Sequence, residues 1–112
     1  MASVDVLHVL GNEYNPSILQ ATNEPRSAQD LSDELDIPIA TCYRRIDELT
    51  EAELLELHDR PLSDERRRVN VYRRNIDGVQ VEFEGSECSV SIEKRSDIKN
   101  KLDDVWRTLS DA

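Results

Sequence analysis

The chain has 112 residues, 24 of them acidic against 14 basic, with a formal net charge of −10 and only 4% aromatic residues. That length allows one domain with a single small core and excludes a multi-domain arrangement. An acidic balance argues against a nucleic-acid partner, and the absence of a glycine-rich phosphate loop, an activated nucleophile or a metal cluster argues against an enzyme.

Two features qualify the charge argument. Lysine is confined to Lys94, Lys99 and Lys101, and the acids are scattered along the chain instead of gathered in a tail. This is the composition of a protein from a salt-rich cytoplasm, where ordinary electrostatics are screened within a few ångströms; a moderately acidic mesophilic protein is the alternative. The arginines are also uneven. Before Tyr43 only Arg26 stands against seven acids, whereas from Arg44 to Arg74 eight arginines face eight acids. No stretch approaches a membrane span and no signal peptide is visible, so a cytoplasmic location with no membrane partner is expected. Cys42 and Cys88 read as separate buried thiols. No paired-cysteine motif exists, and neither His8 nor His58 has metal-ligand spacing with them, so no metal or cofactor is expected.

In chain order, Ser3 caps a short helix with Val4, Val6, Leu7, Val9 and Leu10, apolar almost all round and ended by Gly11. Residues 1–13 thus form an N-terminal helix too apolar for one small domain to cover, and Val4 and Leu7 are expected at a subunit contact. Asn15 as N-cap and Pro16 open the next helix, with Ile18, Leu19 and Thr22 inward. Ser27 caps a third, with Asp30 closing a capping box and Ala28, Leu31 and Leu35 at helical spacing. Asp36, Ile37 and Pro38 break it, and a fourth helix begins near Pro38. There Cys42, Ile46 and Leu49 share one stripe with Ile39 at its edge, while Thr41, Tyr43, Arg44, Arg45, Asp47 and Glu48 lie largely elsewhere.

Leu55 and Leu57 alternate with Glu56 and His58 as in a strand with one covered face. A polar turn over 60–65 follows, and Val69, Val71 and Tyr72 mark the return, giving a hairpin with Arg66, Arg67 and Arg68 near its tip. Val79, Val81 and Phe83, a turn at Gly85 and Ser86, then Cys88, Val90 and Ile92 form a second hairpin, expected to extend the first sheet or cover a dimer seam. Ser96 and Asp97 start a last helix whose Ile98, Leu102, Val105, Trp106 and Leu109 form one stripe. Leu102, Val105, Trp106 and Leu109 are expected at a dimer contact, with packing onto the hairpin as the alternative.

The segments LSDELDI and ATCYRRIDELTEAELL resemble the helix-turn-helix of winged-helix transcriptional regulators of the ArsR-like groups common in haloarchaea, with Glu53 standing where that family often has a helix-ending glycine. The resemblance, which runs from about Leu10 to Asn75, implies a winged helix-turn-helix with 14–76 as the DNA-binding core; with the second hairpin and last helix read from their own periodicity, the expected fold is an α+β winged helix-turn-helix with an extra C-terminal β-hairpin and C-terminal helix in one domain, 77–112 being the expected dimerisation region. It implies a homodimeric, sequence-specific regulator bound to double-stranded DNA, its effector unknown. The helix from Pro38 would enter the major groove, reading bases with Ile39, Ala40, Thr41, Tyr43 and Arg44. Arg45, the Ser27 helix terminus and the wing's Arg66, Arg67 and Arg68 would meet phosphates or the minor groove. Two bland alternatives stand beside this: Arg44 pairing with Asp47 or Glu48 on its own helix, and the wing arginines neutralised by Asp64 and Glu65. A protein–protein adaptor or an acidic DNA mimic is the alternative function.

Overall fold

A computed structural model describes residues 3–110, with the backbone alone at 3, 4, 98–101, 103 and 104. The expectation for the Val4 side chain therefore lies outside the described residues, as does that for Ile98. The elements are α1 (Ser3–Leu10), α2 (Asn15–Ala21), β1 (Arg26–Ser27), α3 (Ala28–Leu35), α4 (Ile39–Glu51), β2 (Leu55–Asp59), β3 (Val71–Arg74), β4 (Ile76–Glu84), β5 (Glu87–Lys94) and α5 (Asp97–Ser110). The fold is α+β, helix-turn-helix helices with wing strands followed by a C-terminal hairpin and helix.

Each helix boundary around the central pair has a local cause. Ser27 and Asp30 form a complete capping box at α3: the Asp30 amide donates to Ser27 Oγ, and the Ser27 amide donates to Asp30 Oδ2, both at 3.0 Å. Asp36 ends α3 in the left-handed region, at φ 55°, a conformation that Asp tolerates better than most residues. Pro38 then blocks any continuation and leads into α4. At the other end of α4, Glu53 takes φ 63°, the amide of Leu54 donates to the Leu49 carbonyl, and that of Glu53 to the Thr50 carbonyl, both at 3.0 Å. This is a complete Schellman motif built without glycine.

The core gathers Ile18, Leu19, Ala28, Leu31, Ile37, Cys42, Ile46, Leu49, Leu54 and Leu55, with Val6 and Val9 of α1 and Ile76 of β4. Most of α1 is thereby covered inside the chain: Val6 and Val9 are buried and Leu10 packs on the core, leaving Leu7 half-buried. Asn15 departs from its expected role as N-cap. It lies inside the first turn of α2, fully buried, and its amide nitrogen donates to the Val9 carbonyl at 2.7 Å and to Glu48 Oε1 at 2.9 Å. A side chain that looked like a local helix signal in fact ties α1, α2 and α4 together.

The wing sheet is antiparallel and three-stranded, in the order β1-β3-β2. The two-residue β1 pairs Arg26 with Tyr72 and Ser27 with Val71. Leu57, expected on a covered face, is exposed, because the register slips between Leu57 and Asp59 and the wing runs out past the core. The β4–β5 hairpin does not extend the wing sheet; it is a separate two-stranded sheet whose root packs against the core and α1. The apolar stripe of α5 is not packed onto that hairpin: Leu102, Val105, Trp106 and Leu109 are all exposed. The radius of gyration is 16.0 Å, against about 13 Å for a compact domain of this size, because the hairpin and α5 project from the helical core.

Candidate nucleic-acid interface

On α4 a helical period of 3.6 turns Cys42, Ile46 and Leu49 inward and leaves the opposite face to solvent. Ile39, Ala40, Tyr43 and Arg44 are exposed and Thr41 is half-buried. Tyr43 has 57% of its surface accessible. Arg44 makes no ion pair or side-chain hydrogen bond among the described residues, so pairing with Asp47 or Glu48 does not consume it. That pairing falls instead on Arg45, whose guanidinium lies 3.3 Å from Glu48 and whose side chain is 14% exposed. Glu48 in turn accepts from Asn15. Arg45 thus pairs inside the chain, because one residue step rotates it about 100° around the helix from Arg44.

The wing is a twisted ribbon with a tight tip. The Arg66 amide donates to the Ser63 carbonyl and the Ser63 amide to the Arg67 carbonyl, each at 2.8 Å, with Arg66 at φ 60°. This is a type I turn followed by a left-handed residue, a common hairpin end in which glycine usually takes the last position. Arg66, Arg67 and Arg68 are all exposed, and none of them pairs with Asp64 or Glu65 among the described residues. Arg68 Nη1 donates to the Arg60 carbonyl at 3.1 Å, which lays its guanidinium back along the wing.

Folding brings together residues that the sequence keeps far apart. A cleft of about 310 Å³ opens between the start of α3, the exposed face of α4 and the base of the wing, lined among others by Ser27, Gln29, Tyr43, Arg60, Arg68 and Asn70. Ser27 lines it as the capping residue at the start of α3. Its side chain is buried and its hydroxyl accepts from the Asp30 amide in the cap. Arg60, Gln29 and Asn70 were not singled out as contacts from the sequence. Arg60 alone carried a signal, as one of the eight central arginines; Gln29 and Asn70 join the cleft only because β1 pins the start of α3 against β3.

The other central arginines hold the fold. Arg73 pairs across the sheet with Glu56 at 2.9 Å and reaches Asp97 at 3.6 Å. Arg74 donates to the carbonyls of Ile76 and Leu19 and to Asn23. Cys42 is fully buried, its Sγ donating weakly to the Ile37 carbonyl, and burial pushes its thiol pKa up, the opposite of what a reactive thiolate needs. No group of three or more His, Cys, Asp or Glu side chains among the described residues could hold a metal ion, and no helix among them is long and apolar enough to cross a membrane.

A comparison with curated proteins returns no significant match. Residues 10–58, from the end of α1 into β2, match the family described as a helix-turn-helix domain. Over that stretch, somewhat less than half of the chain, the sequence is similar to a helix-turn-helix domain.

Proposed function

We propose that the protein is a transcriptional regulator that binds double-stranded DNA as a homodimer, with α4 in the major groove and the wing along the backbone or minor groove. The observation that carries this reading is the exposed, unpaired Arg44 on α4, next in sequence to Tyr43, which lines a cleft together with Arg60 and Arg68. A free guanidinium can make two hydrogen bonds to guanine, and the apolar atoms of Ile39, Ala40 and Thr41 suit thymine methyls. Arg66, Arg67 and Arg68 serve the phosphates, joined by the helix terminus at Ser27. Arg45 is a support for α4 in this scheme, holding Glu48 against Asn15.

Selection of bound duplexes from a random library tests the reading. An enriched motif is expected for the wild-type chain. Arg44→Ala should lose about 1–3 kcal/mol for that motif and relax it at one position, as loss of one bidentate base contact does. A chain that enriches no motif, or an Arg44→Ala variant with unchanged preference, overturns it. We further propose that the protein works in a salt-rich cytoplasm, where acids near the interface hold cations against the phosphates; the acidic composition supports this.

A further inference from the structure

The cleft between α3, α4 and the wing differs in charge from the surface around it. In a chain with 24 acidic residues, no Asp or Glu among the described residues lines that cleft, whereas Arg60 and Arg68 both do. Two neighbouring clefts along the wing are mixed: one takes in Asp30, Asp64 and Glu65, the other Asp59. On α3, Asp30 accepts from the Ser27 amide and Asp33 from the Gln29 side chain, so both carboxylates are occupied within their own helix start. Asp59 accepts from the backbone amide of Arg60 and not from its guanidinium.

What the cleft offers is a surplus of hydrogen-bond donors. The Arg60 guanidinium and the Tyr43 hydroxyl make no hydrogen bond or ion pair among the described residues. Arg68 commits Nη1 to the Arg60 carbonyl at 3.1 Å and keeps its other N–H groups. The Tyr72 hydroxyl accepts from Asn70 Nδ2 at 3.3 Å, which leaves its own proton to give. Donors without acceptors, with two guanidinium groups among them, suit a group that is anionic and presents only acceptor oxygens. A phosphate is such a group. A base pair suits the cleft less well, since it is uncharged and presents a donor as well as acceptors. Tyr43, Arg60, Arg68 and Asn70 are all exposed, so a continuous strand can lie across them, whereas an enclosed pocket admits only a small molecule.

We propose that the cleft seats one phosphodiester of the bound duplex, shared between Arg60 and Arg68, with the Tyr43 and Tyr72 hydroxyls donating to its free oxygens. This rests on the DNA-binding reading above and names the backbone contact that joins α4 to the wing. Tyr43 is thereby a phosphate ligand and not a base reader, and the bases are left to Ile39, Ala40, Thr41 and Arg44. Tyr43 stands on α4 and Arg60 and Arg68 on the wing, so a single phosphate held by all three fixes how deep α4 enters the groove.

The test takes a duplex enriched by the wild-type chain and replaces its phosphates, one at a time, with neutral methylphosphonate. Binding of the full chain is measured on each duplex for the wild type, Arg60→Gln, Tyr43→Phe and Arg66→Gln, all at exposed positions where substitution spares the fold. On the unmodified duplex Arg60→Gln should weaken binding about tenfold and Tyr43→Phe about threefold, the scale of one charged and one neutral hydrogen bond. At one phosphate per bound protomer both losses should largely vanish, because their partner is already gone, while any loss from Arg66→Gln should persist there. If neither variant weakens binding, or both lose the same factor on every modified duplex, no phosphate sits in the cleft; the proposal fails and the regulator reading stands. A Tyr43→Phe loss that follows a base-pair change instead restores Tyr43 as a base reader and overturns the proposal equally. If the wild type enriches no duplex, the regulator reading fails and this one with it. Inorganic phosphate titrated against the isotope-labelled chain then separates two outcomes: saturable shifts at Arg60 and Tyr43 assign the cleft to a free phosphorylated ligand, and their absence removes the anion site altogether.

Discussion

At the residue scale, Glu53 and Arg66 stand in left-handed positions that glycine fills at lower cost. Glu53 keeps the Schellman motif through backbone hydrogen bonds alone, and its side chain adds only a long, exposed contact with Lys94 at 3.8 Å. Glu53→Gly is therefore expected to stabilise the fold by up to about 1 kcal/mol, read as a higher urea midpoint; a lower midpoint would contradict this account of how α4 ends. The two thiols should also separate chemically. Cys88 should react with an aromatic disulfide reagent in the native protein, and Cys42, buried with its pKa raised, only after unfolding. Two labels incorporated at equal rates would contradict that burial. The exchange of roles between Arg44 and Arg45 belongs to this scale too. Both were legible as arginines on a polar face, but the partner that claims Arg45 is Glu48 held by Asn15, and Asn15 is 33 residues from Glu48.

At the scale of elements, the joint between wing and C-terminal helix is electrostatic. Asp97, the first residue of α5, accepts from Arg95 at 2.9 Å and lies near Arg73, which also pairs with Glu56 on β2. The hydrogen bond from Arg95, with the charges of Arg73 and Arg95 behind it, lowers the pKa of Asp97 below the usual carboxylate value, and His58 contributes in the same direction. A lowered folded-state pKa means that the joint is strengthened above about pH 4, the ordinary Asp value, and that this contribution is lost as pH falls through the folded-state value. Hydrogen exchange should accordingly show the first turn of α5 opening faster under acid conditions. Asp97→Asn should reproduce that opening at neutral pH, and equal protection in the variant would show that the ion pairs do not hold the helix start. The side chain is well exposed, so a small effect confined to this joint is expected rather than global unfolding.

At the scale of the whole molecule, an acidic chain that meets DNA has to separate its charges. The structure separates them by spending Arg45, Arg73 and Arg74 on internal contacts and leaving Arg44, Arg60, Arg66 and Arg67 without ion pairs among the described residues. Arg66, Arg67 and Arg68 of both protomers on phosphates, six contacts, would give a log–log salt slope of about −5.4, at about 0.9 per contact. With neighbouring acids taking up cations as DNA binds, the measured slope between low and molar salt is expected to be shallower. A slope as steep as that sum or steeper would overturn the salt-adapted reading without touching the helix-turn-helix itself.

The sequence alone determined what depends on neighbours a few residues apart. The Ser27 capping box, the break at Pro38, the inward stripe of α4, both hairpins and the extent of α5 all follow from local spacing, which is why the fold class was legible. It left undecided whatever depends on residues meeting across the fold. That Asn15 buries itself against Glu48, that the two-residue β1 anchors α3 to the wing, that Arg60 and Arg68 share a cleft with Tyr43, and that the second hairpin stands apart from the wing sheet were decided by tertiary structure, because no periodicity or propensity encodes a contact whose partners lie tens of residues away.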